Sequence, residues 1–174
     1  MKKSLPLWSA VFALLLAGCE TMSDQGSGMQ RGATVTRFHL GQPIARAEIR
    51  IEPADPARAT GTDFAQHVAA VERELTRLGW TVAQGNLRSE QVARVEVQQS
   101  TREGATRRAG QIVATELSVR IQRRSDATVA WEGRAKLEAR AGSALAAPTA
   151  AADRLATALF QDFPGESGRT IRVR

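Results

Sequence analysis

The sequence predicts an α+β domain: an antiparallel β-sheet with two helices packed on one face, in the order strand, strand, helix, strand, strand, hairpin, helix. Three observations carry this. Residues 63–79 hold one apolar stripe of helical period. Residues 117–137 hold two stretches of strict alternation. A second helical stripe begins at Pro148, and no internal repeat is found.

The first strand is expected over Val35 to Leu40 and the second over Ala47 to Glu52, where Ala47, Ile49 and Ile51 alternate with Glu48, Arg50 and Glu52. A Pro/Ala/Gly loop runs from Pro53 to Thr62. Asp63 and Gln66 then have the spacing of a capping box. Behind them Phe64, Val68, Val71, Leu75 and Leu78 are spaced four, three, four and three, one face of a helix that Gly79 stops. His67 falls off this stripe and is read as solvated.

Trp80 to Ala83 is a short strand. Ala93 to Gln99 is another, with Val95 and Val97 inward. Residues 100–110 are polar and Gly-punctuated, and read as a loop. Leu117, Val119 and Ile121 then alternate with polar neighbours, as do Val129, Trp131, Gly133, Ala135 and Leu137. Each strand has one wet face.

Matching the two inward faces requires paired positions to sum to an even number. With Ser125-Asp126-Ala127 as the loop, Ile121 faces Trp131, Val119 faces Gly133, Arg120 faces Glu132 and Glu116 faces Lys136. A shift of the sum by two keeps only Glu116 with Arg134. Each cross-strand charge pair contributes about 0.2–1 kcal/mol, so the first register is preferred. Pro148 suits the first turn of the last helix, which carries Ala152, Leu155, Ala156 and Leu159 inward and ends near Phe163-Pro164-Gly165. Residues 168–173 add a final edge strand.

The N-terminal segment is an address. Lys2 and Lys3 precede an apolar run from Leu5 to Ala17, too short for a bilayer span of about 20 residues and proportioned as a secretory signal. It ends in Leu16-Ala17-Gly18-Cys19, which resembles a bacterial lipobox, and Cys19 is the lone cysteine of the chain. The expected organisation is a signal peptide over 1–18, a lipidated Cys19 with a Gly/Ser-rich tether over 19–33, and a single periplasmic domain over 34–174. The tether reaches roughly 45–50 Å at full extension. Two or more acyl chains give a stable anchor. Glu20 rather than Asp follows Cys19, so outer membrane, periplasm-facing, is the expected location.

Composition narrows the function. One cysteine excludes an internal disulfide and a Cys-based metal site, and two histidines exclude a His-rich one. No cofactor and no metal are expected. The net charge of +6 falls to 22 − 18 = +4 once Lys2 and Lys3 leave with the signal peptide. All but one of the remaining cations are Arg, a GC-rich coding bias rather than a nucleic-acid surface, so no nucleic-acid partner is expected. A weak attraction to anionic lipid headgroups stays open.

The lipobox, the strand Val35-Thr36-Arg37-Phe38-His39, the helix entered at Asp63-Phe64 and ended by Leu78-Gly79-Trp80, the long hairpin and Phe163-Pro164-Gly165 together resemble the bacterial lipoproteins known as domain of unknown function 4136. The resemblance covers roughly residues 34–173. It implies a lipoprotein of no agreed activity, and carries over no catalytic residue. Where many relatives have Asp-Pro-Asp, this chain has Gln84-Gly85-Asn86-Leu87-Arg88.

No catalytic constellation emerges. His39 reads as structural or exposed. Asp153 and Asp162 show no base at a diagnostic spacing. Gly165-Glu166-Ser167-Gly168 lacks the full nucleophile-elbow pattern and its preceding strand. No Gly-rich phosphate loop opens a helix. The expectation is a non-enzymatic accessory or interaction subunit of a cell-envelope complex, held to the membrane by acylated Cys19, with Arg102, Arg107 and Arg108 in the 100–110 loop as candidate partner contacts. The alternative is a lipoprotein that binds a lipid or small apolar ligand between sheet and helices. The small inward residues Gly133, Ala135 and Ala139 either leave room for it or let a helix pack close.

Overall fold

The computed structural model describes residues 32–59, 61–85, 88–106 and 110–174. The signal segment, Cys19, the tether up to residue 31, Arg107 and Arg108 lie outside the described residues. The chain forms β1 (Ala33–His39), β2 (Glu48–Pro53), α1 (Thr62–Arg77), β3 (Thr81–Val82), β4 (Gln91–Glu103), β5 (Gln111–Arg123), β6 (Val129–Arg140), α2 (Pro148–Phe160) and β7 (Thr170–Val173). This is the α+β arrangement expected, with the elements in the expected order.

The seven strands form one sheet in the order β3-β2-β4-β5-β6-β1-β7. It is mixed rather than purely antiparallel. Strand β2 runs parallel to both β3 and β4, while the other neighbours are antiparallel. The reason is α1. A helix between β2 and β3 carries the chain back over the sheet, so the next strand enters in the same direction, and β4 follows on the other side of β2. Alternation in a sequence reports which face a residue occupies and is silent about strand direction.

The β5–β6 hairpin has the expected register: Ile121 opposes Trp131, Val119 opposes Gly133 and Arg120 opposes Glu132. A register shift after Ile121 lets the connection spread to residues 124–128, with Ala127 at φ 56°. Arg120 bonds Glu132 at 3.0 Å. Glu116 opposes Lys136 as expected, but Lys136 turns along its own strand to Glu138 at 3.1 Å and Glu116 takes Arg134 at 3.5 Å.

Helix α1 starts one residue before the expected capping box. Its N-cap is Gly61 and no side chain caps it. The stop at Gly79 is as expected, with φ at 97°. Its buried face is His67, Ala70, Val71 and Leu75, so the stripe is rotated and His67, expected in solvent, is interior. Facing α2 supplies the reason, because the two helices pack side by side on the sheet. Arg73 pairs with Asp153 and Glu74 accepts from Thr157, so they run parallel with both N-termini at one end.

At the other end the core is aromatic. Trp131 stacks on Phe160 with centroids 5.4 Å apart, and Phe163 lies 5.2 Å from Trp131 and 5.3 Å from Trp80. The segment from β1 to β2 crosses this end of the sheet, where Ile44 joins the core and the Arg46 guanidinium sits 5.9 Å from the Trp80 ring centre. The indole of Trp131 lies along Gly133. A Cβ there would come within 2.3 Å of the ring and 2.8 Å of Leu159 Cδ1. Gly133 is therefore where ring and helix pack close.

Candidate functional site

The outer face of the sheet is a lattice of ion pairs built by the even-numbered residues of the central strands. Glu52 is its densest point, reached by Arg94 at 3.2 Å, Arg50 at 3.7 Å and a hydrogen bond from Arg124. Burial pushes its carboxyl upward, but the Arg124 hydrogen bond and the charges of Arg124, Arg94 and Arg50 outweigh it and hold Glu52 below its ordinary value. A carboxyl depressed in the folded state stabilises it fully above the unfolded value of about 4.5, and that stabilisation is lost as pH falls through the lower folded value. Glu52→Gln should therefore be less stable than wild type at pH 7, with the gap closing below about pH 4.5. Urea unfolding at pH 7 and pH 3.5 checks this; a gap unchanged at the lower pH removes Glu52 as the hub.

Arg102 belongs to this lattice. The segment expected as a loop over 100–110 continues β4 to Glu103 and resumes β5 at Gln111, closed by the Gly104 N–H donating to the Gly110 carbonyl at 2.7 Å. Arg102 reaches across β5 to Glu138 at 2.9 Å. Glu138 is held below its ordinary value by hydrogen bonds from Lys136 and Arg102 that outweigh burial. Arg102 thus has a structural partner already, in an exposed pair that contributes at most about 1 kcal/mol. Arg107 and Arg108 lie outside the described residues.

His39 is structural. Its Nε2 donates to the Gly165 carbonyl at 2.9 Å and its Nδ1 accepts from the Gly41 N–H at 3.1 Å. The Ser167 hydroxyl accepts from the His39 N–H and donates to its carbonyl. Beside it, Arg37 faces inward like Val35, only 3% exposed, and donates from Nε to the Leu159 carbonyl at 2.9 Å and from Nη2 to the Ala158 carbonyl at 2.8 Å. Burial pushes this guanidinium below its ordinary value and Asp162 opposes the shift. Parity with Val35 was the signal in the sequence for an inward Arg37.

Among the described residues a cavity lies between sheet and helices, at the end where both helices begin. It holds about 160 Å³. Its floor is the inner face of β4 and β5, at Val97, Gln99 and Thr115. Its walls are the first turns of α1 (Asp63, Phe64, His67) and α2 (Pro148, Ala151), and Arg58 stands at the rim. His67 is 2% exposed. Its Nδ1 lies 2.8 Å from the Asp63 carbonyl one turn earlier, and among the described residues nothing bonds its Nε2. A buried acceptor left unpaired costs about 1–3 kcal/mol. Sequence reasoning passed His67 over because Val68 offered an equally good apolar spacing. The three- and four-residue steps Phe64, His67, Val71 and Leu75 were the signal that would have placed it inside.

Among the described residues no three His, Cys, Asp or Glu side chains gather as a metal site, and no helix is long and apolar enough to cross a membrane.

No family model matches the chain, so the resemblance to domain of unknown function 4136 gains no support from one. In sequence the chain is similar to an uncharacterised protein of Zymomonas mobilis, 26% identical over an alignment that covers 80% of this chain and 79% of that protein. Among solved structures it is similar to the PelC dodecamer of Paraburkholderia phytofirmans, with a TM-score of 0.48 and 14% identity over 74% of this chain and 95% of that one. It is also similar to a PDZ domain protein of Parabacteroides distasonis, with a TM-score of 0.50 and 12% identity over 79% of this chain. The chain spans 37% of that protein's length, and the likeness is one of fold.

Proposed function

We propose that this chain is a non-enzymatic lipoprotein, anchored through acylated Cys19 in the outer membrane and facing the periplasm, that serves as an accessory or interaction subunit of a cell-envelope complex. The observation that carries the reading is an open apolar corner at the end of β1. At Gly133, by contrast, the indole of Trp131 and the side chain of Leu159 fill the space between sheet and helix. At the end of β1, Phe38 is 54% and Leu40 79% exposed, with Phe38 opposite Glu132, which is ion-paired to Arg120. Exposed apolar side chains grouped beside a polar rim mark contact surfaces.

A photo-crosslinking amino acid at Phe38, in the acylated chain in its own membranes, tests this. One predominant adduct with an envelope protein is expected, absent when the same residue is placed at Arg123 and lost with Cys19→Ala. Adducts with lipid alone, or equal labelling at Phe38 and Arg123, would overturn the reading.

A further inference from the structure

We propose that the overhanging edge of β4, from Gln99 to Glu103, is a self-association surface. A second copy of this chain pairs with it antiparallel about a two-fold axis at Thr101, so that the two sheets join edge to edge. The surface lies three strands away from β1 and its Phe38 corner, and the inference does not rest on the partner reading.

The edge is open because β4 outruns its neighbour. Strand β2 pairs with β4 only from Gln91 to Val95, and the Ala54 N–H closes that ladder on the Val95 carbonyl at 2.8 Å. On its other side β4 is accompanied by β5 as far as Glu103. The Glu90 carbonyl just before β4 and the Gly104 N–H just after it both bond toward the β5 side. Even-numbered residues of β4 therefore direct their main-chain groups to β5, and odd-numbered ones to the β2 side. At Gln99, Thr101 and Glu103 those groups meet no strand among the described residues, and Gln98 to Glu103 are exposed throughout.

Such an edge templates another strand unless it is blunted. The terminal strands of the sheet are blunted by their length, at Thr81–Val82 and Thr170–Val173. Gln98-Gln99-Ser100-Thr101 carries no proline and no charge, and its pairing with β5 has no bulge.

Register identifies the occupant. With the axis at Thr101, Gln99 faces Glu103 of the second copy, an amide donor against a carboxylate acceptor, and Ser100 faces Arg102. The facing odd-numbered residues exchange two main-chain hydrogen bonds per pair. Arg102 leans away across β5 to Glu138 at 2.9 Å, so the two guanidiniums do not crowd the axis. An axis at Arg102 sets those guanidiniums face to face, and like charges oppose pairing. An axis at Ser100 sets Glu103 against Val97, next to the place where Arg58 reaches Glu96 at 3.6 Å. Helix α1 starts near Val97 and ends beside Gln91, which Trp80 bonds at 2.9 Å, so the helices of the two copies diverge from the axis.

The test uses the processed chain carrying Cys19→Ser, in which an introduced cysteine is the lone thiol. Sedimentation velocity is expected to show a dimer that grows with concentration. Thr101→Pro removes an N–H that faces the open edge, where proline is tolerated, so circular dichroism should be unchanged. Self-association should weaken by about tenfold or more, the worth of the two hydrogen bonds lost at the axis. Residues facing each other in a hydrogen-bonded pair lie about 5.5 Å apart, within disulfide reach. Thr101→Cys should therefore oxidise to a linked dimer, and Arg123→Cys, exposed on the same sheet, should not. A chain still monomeric at millimolar concentration, a dimer indifferent to Thr101→Pro, or equal cross-linking from the two cysteine variants overturns the proposal. If Thr101→Pro fails to fold, the comparison of the cysteine variants decides it.

Discussion

Trp131→Ala should lower the unfolding free energy by about 3–5 kcal/mol, the largest effect expected of any single substitution in the domain. The indole is fully buried in a central strand, stacks on Phe160, lies against Phe163 and donates from Nε1 to the Pro164 carbonyl at 3.0 Å. Truncation leaves a void that the sheet backbone cannot collapse into, and an unpaired carbonyl beside it. For a domain whose stability is about 5–15 kcal/mol, the loss is a large fraction of the whole.

Gly133→Ala probes the same contact from the other side. Its Cβ meets the rigid indole at 2.3 Å, so about 1–3 kcal/mol is expected. In a Trp131→Phe background the two indole atoms it strikes are gone and only the flexible end of Leu159 stays in reach, so the penalty should shrink to under about 1 kcal/mol. Urea unfolding of the four proteins reads the coupling. Strict additivity would mean the ring does not seat on the glycine.

Arg37→Met should cost about 3 kcal/mol. The Ala158 and Leu159 carbonyls belong to the last turn of α2, which has no intrahelical partners for them and no basic residue of its own. Arg37 brings two donors and a positive charge from β1 to that end of the helix, satisfying both carbonyls and the helix dipole. Methionine fills much of the volume but leaves both carbonyls buried and unpaired. Arg37→Lys keeps the charge without the two-pronged geometry and should recover part of the loss. Denaturant unfolding gives the totals, and amide exchange should rise in the last turn of α2 in Arg37→Met. A methionine variant as stable as wild type would show that those carbonyls find other donors.

Much of the architecture was legible because it is local. The α1 stripe, its stop at Gly79, the Pro148 start of α2 and the closing edge strand follow from periodicity and backbone chemistry within a few residues. The β5–β6 register followed from parity and from two opposite-charge pairs against one. What failed was non-local. Ser100 to Glu103 carry no alternation, yet they are strand because β5 offers them a backbone ladder and is itself held by β6. His67 reads as solvated until α2 lies beside α1. The candidate site was legible only in pieces: its histidine was noticed, but nothing in the chain from Asp63 to Ala151 says that two helix starts meet over Thr115.

The sequence by itself determined the α+β class, the order of the elements, which face of each strand looks inward, and the hairpin register, all of them properties of neighbouring residues in a pleat or a helical turn. Only the tertiary structure decided that β2 lies parallel to β3 and β4, that β1 inserts between β6 and β7, and that Arg37 closes the end of α2. Those outcomes depend on how a crossover helix directs the chain, and on which distant donor reaches a carbonyl that its own helix leaves unpaired.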